Sequence, residues 1–298
     1  MEPVLDRIKK GAILVADGAM GTLLMARGVD IKRGPEAVNL SEPSILEQIA
    51  FEYLEAGADI IHTNTFGASP LKLAMYHLEE NSRMINQNAV RAVKKTVGNR
   101  AYVSVSCGPS GRLLKPFGDT GPEEIYNSFE KQFAFISGEG VDLICIETMT
   151  DLTEAVLAVK AAKAVMSPVP VMATMTFDET PRGFFTIMGV SIPRAAGELE
   201  KAGASIIGSN CGNGIEKMIK IAREFKNCTL LPLLIQPNAG LPEITDGKLV
   251  YKETPEFMAE KATELAEMGV EVIGGCCGTT PDHIRAIRKM VDSCMKKL

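Results

Sequence analysis

Short apolar segments alternate with longer amphipathic segments along the chain. Eight apolar segments, rich in Val, Ile and Leu, have the length and composition of strands buried on both faces. They span residues 12–17, 58–64, 101–107, 141–147, 169–177, 204–210, 230–236 and 270–276. Segments with helical periodicity lie between them, among them 42–57, 121–140, 151–165, 193–203 and 254–269. Strands that alternate with helices predict an α/β protein with a parallel sheet closed into a single (β/α)8 TIM barrel, and an open doubly wound sheet is the alternative.

Length and composition favour one globular domain. Although 298 residues would on average form two domains, α/β barrels of this size commonly form one, so we predict one barrel over residues 1–298. The formal net charge is −5 and no basic cluster is present, which argues against nucleic acid or an anionic membrane as a partner. No apolar run is long enough to span a membrane, and the first ten residues lack the apolar region of a signal peptide, so we expect a cytoplasmic enzyme.

Polar and thiol residues follow the predicted strands. In a (β/α)8 barrel, functional groups gather where the strands end and the βα loops begin. The residues at these points, in chain order, are Asp17, Asn64, Cys107, Glu147, Asp178, Cys211, Asn238 and the pair Cys276–Cys277. We therefore expect one site at the carboxyl end of the barrel.

Three of the seven cysteines are expected to meet at this end. Cys276 and Cys277 lie in GGCCGTT after the eighth strand, where glycines let the backbone turn, and Cys211 follows the sixth strand. Three converging thiolates suit one tetrahedral Zn²⁺ and leave a fourth position open, which is typical of a catalytic site. The alternatives are ordinary buried cysteines or a vicinal disulfide. The other thiols are interpreted as packing or surface residues: Cys107, Cys145, Cys228 and Cys294.

The loop DGAMGT, after the first strand, indicates an amino acid ligand. Its backbone N–H groups can hold a carboxylate or a phosphate, although a plain tight turn has the same composition. The residues concerned are Gly18, Ala19, Met20 and Gly21. Asp17 disfavours a phosphate and favours an ammonium group. Glu147 follows four apolar strand positions and needs a partner there, which an ammonium group would provide; stabilisation of the next helix is the alternative.

Asparagines and histidines complete the candidate set. Asn64 in TNTFGAS and Asn238 in QPNAG can bind a ligand or cap the next helix. His62 lies within the second strand and is interpreted as a core histidine. His283, at the start of the last helix, is interpreted as a surface residue.

These motifs carry a family resemblance. DGAMGT, TNTFGAS, the Glu147 strand, MTFDE, SNCG, PNAG and GGCCGTTP occur in this order over residues 11–290. Together they resemble the homocysteine S-methyltransferase domain family, which includes the homocysteine-binding domain of cobalamin-dependent methionine synthase, betaine–homocysteine methyltransferase and enzymes that use S-methylmethionine. The resemblance implies a barrel in which Cys211, Cys276 and Cys277 hold one zinc ion per chain. It also implies that Asp17, Gly18–Gly21 and Glu147 hold the amino acid part of homocysteine. We predict further substrate contacts from the matched motifs: Asn64, Phe66, Asn210 and Asn238.

The predicted reaction is methyl transfer to the thiolate of homocysteine, which gives methionine. A free thiol has a pKa near ~8.5, and a zinc ion binds it as the reactive thiolate. We expect a methylcorrinoid such as methylcobalamin as donor, carried by a separate protein, because no Asp-x-His-x-x-Gly signature of a cobalamin module is present. Gly67 stands where the betaine enzymes carry Tyr, which also favours the cobalamin-dependent branch.

Other donors and other functions stay open at this point. S-methylmethionine or a betaine could serve as a small-molecule donor. More distant alternatives are a phosphate-binding barrel aldolase or isomerase and a non-enzymatic redox sensor based on Cys276–Cys277. The segment 182–193 differs from the Ser/Thr-Gly-rich stretch of methionine synthases. Apolar residues of this segment and of the loop 112–120 either form a docking rim or pack onto the barrel: Phe117, Phe184, Phe185 and Ile187.

Overall fold

The computed structural model of the protein describes residues 1–245 and 248–296. Across these residues, eight parallel strands form one barrel sheet, which confirms the predicted fold class. Numbered in chain order, the barrel strands are β1 Leu14–Val15, β2 Ile60–His62, β3 Tyr102–Cys107, β4 Leu143–Met149, β5 Val171–Met175, β6 Ile206–Asn210, β7 Leu233–Gln236 and β8 Val272–Ile273. Each strand lies within one of the predicted apolar segments, except that β4 continues to Met149.

Contacts between β1 and β2 close the barrel. Ala16 forms a parallel bridge with Ile60. At the amino end of β2, the Asp59 carboxylate pairs with Arg7 at 3.1 Å and with Arg288 at 2.9 Å. Arg7 belongs to the first α-helix and Arg288 to the last, so the seam also ties the two ends of the described chain together.

Helices surround the sheet. The α-helices of the described residues are Val4–Lys9, Met20–Ala26, Val38–Ser41, Ser44–Glu55, Pro70–Ala74, Ser82–Val97, Pro122–Ile136, Leu152–Met166, Ile192–Ala202, Ile215–Lys226, Pro255–Glu267 and Pro281–Met295. Short 3₁₀ helices span Ile31–Arg33, Pro35–Ala37 and Glu79–Asn81. The helix Pro122–Ile136 illustrates their packing, because Ile125, Phe129, Phe133 and Ile136 recur at helical spacing and are fully buried. No helix in the described part of the chain has both the length and the apolar character that a membrane span needs.

The barrel interior changes from apolar to polar along the strands. Its amino-terminal part is filled by apolar side chains, among them Leu14, Tyr102, Leu143, Met172, Ile206, Leu234 and Val272. Nearer the carboxyl ends, buried polar residues replace them, including His62, Ser106, Asn210 and Gln236. The sheet is therefore a packed core at one end and a polar site at the other.

Two antiparallel hairpins extend from the carboxyl end of the barrel. One pairs Asp178–Thr180 with Gly183–Phe185, and the other pairs Glu243–Thr245 with Lys248–Val250. Asp178 is exposed in the first hairpin. Phe184 is buried there, whereas Ile187 is 77% exposed and Phe117, in the loop after β3, is 71% exposed. Only some of the predicted rim residues are therefore available to a partner.

Candidate active site

A cavity of about 280 Å³ opens at the carboxyl end of the barrel strands. This is the end at which barrel enzymes carry their active sites. The predicted site residues that line it are Asp17, Gly18, Ala19, Met20, Gly21, Asn64, Phe66, Glu147, Cys211, Cys276 and Cys277. Residues from five different strand ends therefore share one cavity, as the barrel topology predicts.

The three predicted zinc ligands converge. The Sγ atoms of Cys211, Cys276 and Cys277 all lie within 4.8 Å of one another, and those of Cys211 and Cys277 are 3.8 Å apart. Cys211 has a positive φ of 61°, which turns the chain as it leaves β6. Gly278 has a φ of 80° and provides a similar turn after the adjacent pair. Cys276 and Cys277 are separate thiols, not a vicinal disulfide.

Hydrogen bonds within the thiol cluster separate the acidities of its members. Hydrogen bonds with Cys211 and Cys276 lower the pKa of Cys277 to about 3, and a hydrogen bond with Tyr251 makes a smaller contribution. The same contacts with Cys211 and Cys277 raise the pKa of Cys276 well above its usual value. One thiolate is thus stabilised by two thiols. Zn²⁺ prefers a tetrahedral set of thiolates and releases their protons on binding, so this donor set fits a zinc ion.

Asp17 and His62 form a buried pair beside the cluster. The Asp17 Oδ1 lies 2.6 Å from the His62 Nδ1, and its Oδ2 accepts a 2.9 Å hydrogen bond from the His62 backbone N–H. His62 is buried, as predicted for a core histidine, but it also lines the cavity, which the sequence did not indicate. Both oxygens of Asp17 therefore already have a donor within the protein.

Glu147 faces the cavity from β4. Its Oε1 accepts a hydrogen bond from the Ser106 hydroxyl, and its Oε2 lies 3.5 Å from the Asn210 Nδ2. Burial raises the pKa of Glu147, although His62 and Ser106 oppose the shift. Asp151, not Glu147, caps the helix that follows, because its Oδ1 accepts the first free backbone N–H groups of that helix. The structure thus removes the alternative interpretation of Glu147 as the helix-stabilising carboxylate.

Asn210 lies behind the cavity and joins its parts. The Oδ1 accepts hydrogen bonds of 2.7 Å from the Thr148 backbone N–H and from the Thr174 hydroxyl. The Nδ2 lies 2.7 Å from the Thr148 hydroxyl and 3.7 Å from the Cys276 Sγ. Asn210 is fully buried and is not among the residues that line the cavity, so its contacts connect the Glu147 end of β4 with the thiol cluster.

The other predicted asparagines differ in position. The Asn64 amide donates to the Pro35 carbonyl at 3.0 Å and to the Asn39 Oδ1 at 2.7 Å, and Asn64 lines the cavity. Asn238 is buried outside the lining; its backbone N–H donates to the Asn213 carbonyl, and its Oδ1 has no partner among the described residues. Phe66 is 37% exposed at the edge of the cavity.

Several lining residues were missed by sequence reasoning. They are Thr22, Met25, Pro35, Glu36, Thr63, Ser106, Thr148, Gln236, Tyr251 and Gly275. Glu36 accepts a 2.6 Å hydrogen bond from the Gly67 N–H, and a Cβ on Gly67 would lie 2.9 Å from the same carboxylate oxygen. Tyr251 packs over Gly278, where a Cβ would lie 2.1 Å from the ring, and burial raises the pKa of Tyr251 to about 12. Glycine at 67 and at 278 was the only sequence signal for these contacts.

The interpretation of His283 as a surface residue is wrong. The side chain is buried, its Nδ1 lies 3.2 Å from the Thr280 backbone N, and its Nε2 lies 3.0 Å from the Glu253 carbonyl oxygen. The ring therefore caps the last helix and contacts the backbone of Glu253, which lies just before the helix Pro255–Glu267. Cys107 and Cys145 are fully buried, as predicted, and neither lines the cavity.

Comparisons with known proteins identify the family and the fold of the chain. The sequence model of the family described as homocysteine S-methyltransferase matches residues 14–291. Methionine synthases of Mycobacterium leprae and Mycobacterium tuberculosis are 32% identical over 299 residues and 33% identical over 296 residues. These matches cover 95% and 94% of this chain but 24% of each relative, so the chain spans about a quarter of their length. The metallated form of the homocysteine methyltransferase MmuM from Escherichia coli superposes with a TM-score of 0.80 at 22% identity, over 97% of this chain and 99% of that chain, and therefore has the same fold.

Proposed function

The chain belongs to the homocysteine S-methyltransferase family, and from this premise we propose that it transfers a methyl group to the thiolate of homocysteine, giving methionine. The observation that carries the proposal is the convergence of three cysteine Sγ atoms within 4.8 Å at the wall of the cavity. Carboxylates for an ammonium group line the same cavity. Thiol activation and amino acid binding are thus combined in one place.

Cys211, Cys276 and Cys277 would hold one Zn²⁺ per chain as thiolates. Bound there, zinc supplies an open coordination position at which a thiol loses its proton and stays nucleophilic at neutral pH. Asn210 contributes through the Cys276 Sγ, 3.7 Å from its amide nitrogen, and Tyr251 through its contact with Cys277. Such outer contacts orient metal ligands and tune their basicity.

The amino acid part of the substrate would bind beside the thiols. Glu147 offers its carboxylate to the ammonium group, since its Oε2 has only the long contact with Asn210. Asp17 adds negative charge nearby but is held by His62. The loop Gly18–Gly21 would take the substrate carboxylate; within it, the Ala19 N–H is already directed at the Thr279 hydroxyl at 3.2 Å. Asn64, Phe66, Asn210 and Asn238 stay predicted substrate contacts.

For the donor, we propose a methylcorrinoid such as methylcobalamin on a separate protein. The similarity to methionine synthases supports this choice, as does Gly67, where an added Cβ would lie 2.9 Å from the Glu36 carboxylate, so that an aromatic side chain there would have to displace Glu36. A small-molecule donor is the second candidate. It is favoured by the match to MmuM over 99% of that chain, because a homocysteine methyltransferase can consist of a barrel of this size.

Zinc analysis with methyl transfer tests the proposal. We expect one zinc per chain in the wild-type protein. In Cys211→Ala we expect zinc affinity to fall by more than about 100-fold, since even outer-shell substitutions cost about 10–100-fold, and we expect methyl transfer to be lost. Cys228→Ser is the matched control, because Cys228 is exposed and lies outside the cavity. Full zinc content and activity in Cys211→Ala would contradict the proposed metal site, and a wild-type protein without zinc would contradict the function.

A further inference from the structure

His62 occupies a position between the carboxylates of the cavity. It ends β2, between Asp17 in the loop after β1 and Glu147 on β4. Its Nδ1 and its backbone N–H both contact Asp17, at 2.6 and 2.9 Å. Its Nε2 is buried and has no nitrogen or oxygen partner among the described residues, and the Cys145 thiol of β4 also contacts the ring. The imidazole is thus fixed by Asp17 at one nitrogen only.

The charges around the cavity are otherwise of one sign. Three carboxylates line it, from Asp17, Glu36 and Glu147, and the three thiols of the cluster become anionic when they ionise. Among the described lining residues there is no Lys or Arg, and His62 is the only one whose side chain can carry a positive charge. A negatively charged substrate group therefore meets repulsion from several carboxylates. Apart from the backbone N–H groups of Gly18–Gly21, His62 is the only described lining group that can offset this charge.

The acceptor of the proposed reaction carries such a group. An α-amino acid bears its ammonium and carboxylate groups on the same carbon, so contact of the ammonium group with Glu147 and Asp17 brings the carboxylate close to them as well. We propose that His62 is a specificity-determining residue, whose imidazolium offsets the charge of Asp17 and admits an acceptor thiol with a free α-carboxylate. This inference rests on the proposed function, because it concerns the acceptor of that reaction.

The surroundings of the ring favour its charged form. Burial lowers the pKa of His62, but the charge of Asp17 and the hydrogen bond to it outweigh burial and hold the pKa well above its usual value. The other titratable groups that face the ring are Cys145 and Glu147 of β4. Glu147 is in turn made more acidic by His62, so attraction to both carboxylates stabilises the imidazolium.

Direct binding to the zinc-loaded protein tests the inference without a methyl donor. Calorimetry would compare L-homocysteine with 3-aminopropane-1-thiol, which keeps the thiol and the ammonium group but lacks the carboxylate. His62→Asn can keep a hydrogen bond to Asp17 without the charge, and His62→Gln has a volume closer to that of imidazole, so two neutral variants are available. His77→Asn is the control, because His77 lies outside the cavity and its φ of 58° suits asparagine.

The two neutral variants should bind homocysteine about tenfold more weakly, as expected for loss of one close charge in a partly buried site. Their affinity for 3-aminopropane-1-thiol should change by less than about twofold, and the control should match the wild type for both ligands. Equal weakening for both ligands, or unchanged homocysteine affinity, would overturn the role of His62. A wild-type protein that binds neither thiol would instead contradict the proposed function.

Discussion

At the scale of single residues, the neighbours of Glu147 hold its carboxylate in one orientation. Ser106 donates to one carboxylate oxygen, and the amide nitrogen of Asn210 makes a long contact of 3.5 Å with the other. Asn210 is itself fixed by Thr148 and Thr174, each at 2.7 Å, so the carboxylate cannot easily change its direction. A preorganised carboxylate of this kind binds an ammonium group without a large reorganisation cost.

Glu147→Gln should weaken homocysteine binding and leave zinc in place. The amide can still accept from Ser106, so the local structure is kept, but the charge that attracts the ammonium group is lost. We expect the KM for homocysteine to rise by about 10–100-fold, corresponding to the ~1.5–3 kcal/mol of a hydrogen bond to a charged group. Steady-state kinetics and zinc analysis of the purified variant measure both quantities. Unchanged kinetics would remove Glu147 from the substrate site, and loss of zinc would show that its role is structural.

Residue types at strand ends were sufficient to predict the thiol cluster, Asp17 and Glu147. The barrel topology brings the carboxyl ends of the strands together independently of the conformation of the loops, and these residues therefore line the cavity. Glu36 could not be predicted in the same way, because it comes from a short 3₁₀ helix with no periodic signal. His62 was interpreted from its place within a strand, and only the structure shows that its ring lines the cavity and pairs with Asp17.

At the scale of elements, Glu253 connects parts of the chain that follow the strands β6, β7 and β8. The Glu253 carboxylate accepts from the Ile215 N–H at 3.1 Å, just after the Cys211 loop. Its backbone N–H donates to the Ala239 carbonyl at 3.0 Å, and its carbonyl lies 3.0 Å from the His283 Nε2. One residue thus joins the loop after β7 to the starts of the helices that follow β6 and β8.

Glu253→Ala should loosen the metal site without removing a ligand. The variant loses the link to the loop of Cys211, so we expect zinc to be released to a chelator about tenfold faster, within the range found for outer-shell residues. Glu260→Ala, on the exposed side of the helix Pro255–Glu267, is the matched control. Chelator competition followed by absorbance gives the rates. Equal rates in Glu253→Ala and the control would mean that the cysteine loops hold their geometry independently of this link.

The sequence predicted the elements where burial imposes a pattern and missed them where it does not. Every barrel strand is buried on both faces and therefore appears as an apolar run. The hairpin Asp178–Thr180 with Gly183–Phe185 is too short and too exposed to give such a signal. His283 was predicted at the surface from its position at the start of the last helix, and its contacts with Thr280 and Glu253 are visible only in the structure.

At the scale of the whole molecule, the loops around the cavity present apolar side chains to solvent. They come from the loops after β3, β5 and β7 and are Leu113, Phe117, Ile187, Leu241 and Ile244, with exposed fractions of 56% to 81%. Exposed apolar groups that surround a site are typical of a surface that meets a partner. Phe184, in the first hairpin, does not contribute, because its side chain is buried. A protein that delivers the donor, as proposed above, would meet these side chains when it approaches the cavity.

The methyl donor can be determined by offering methylcobalamin, betaine and S-methylmethionine separately to the zinc-loaded protein with homocysteine and measuring methionine. We expect turnover with methylcobalamin. We expect none with betaine, because a quaternary ammonium group needs several aromatic walls, and the described lining offers only Phe66 and Tyr251. Gly67 cannot be replaced by a larger residue without displacing Glu36. Cys277→Ala should be inactive with each donor, which controls for uncatalysed transfer. Turnover with S-methylmethionine or betaine and none with methylcobalamin would reverse the choice of donor and leave the thiolate chemistry of the acceptor unchanged.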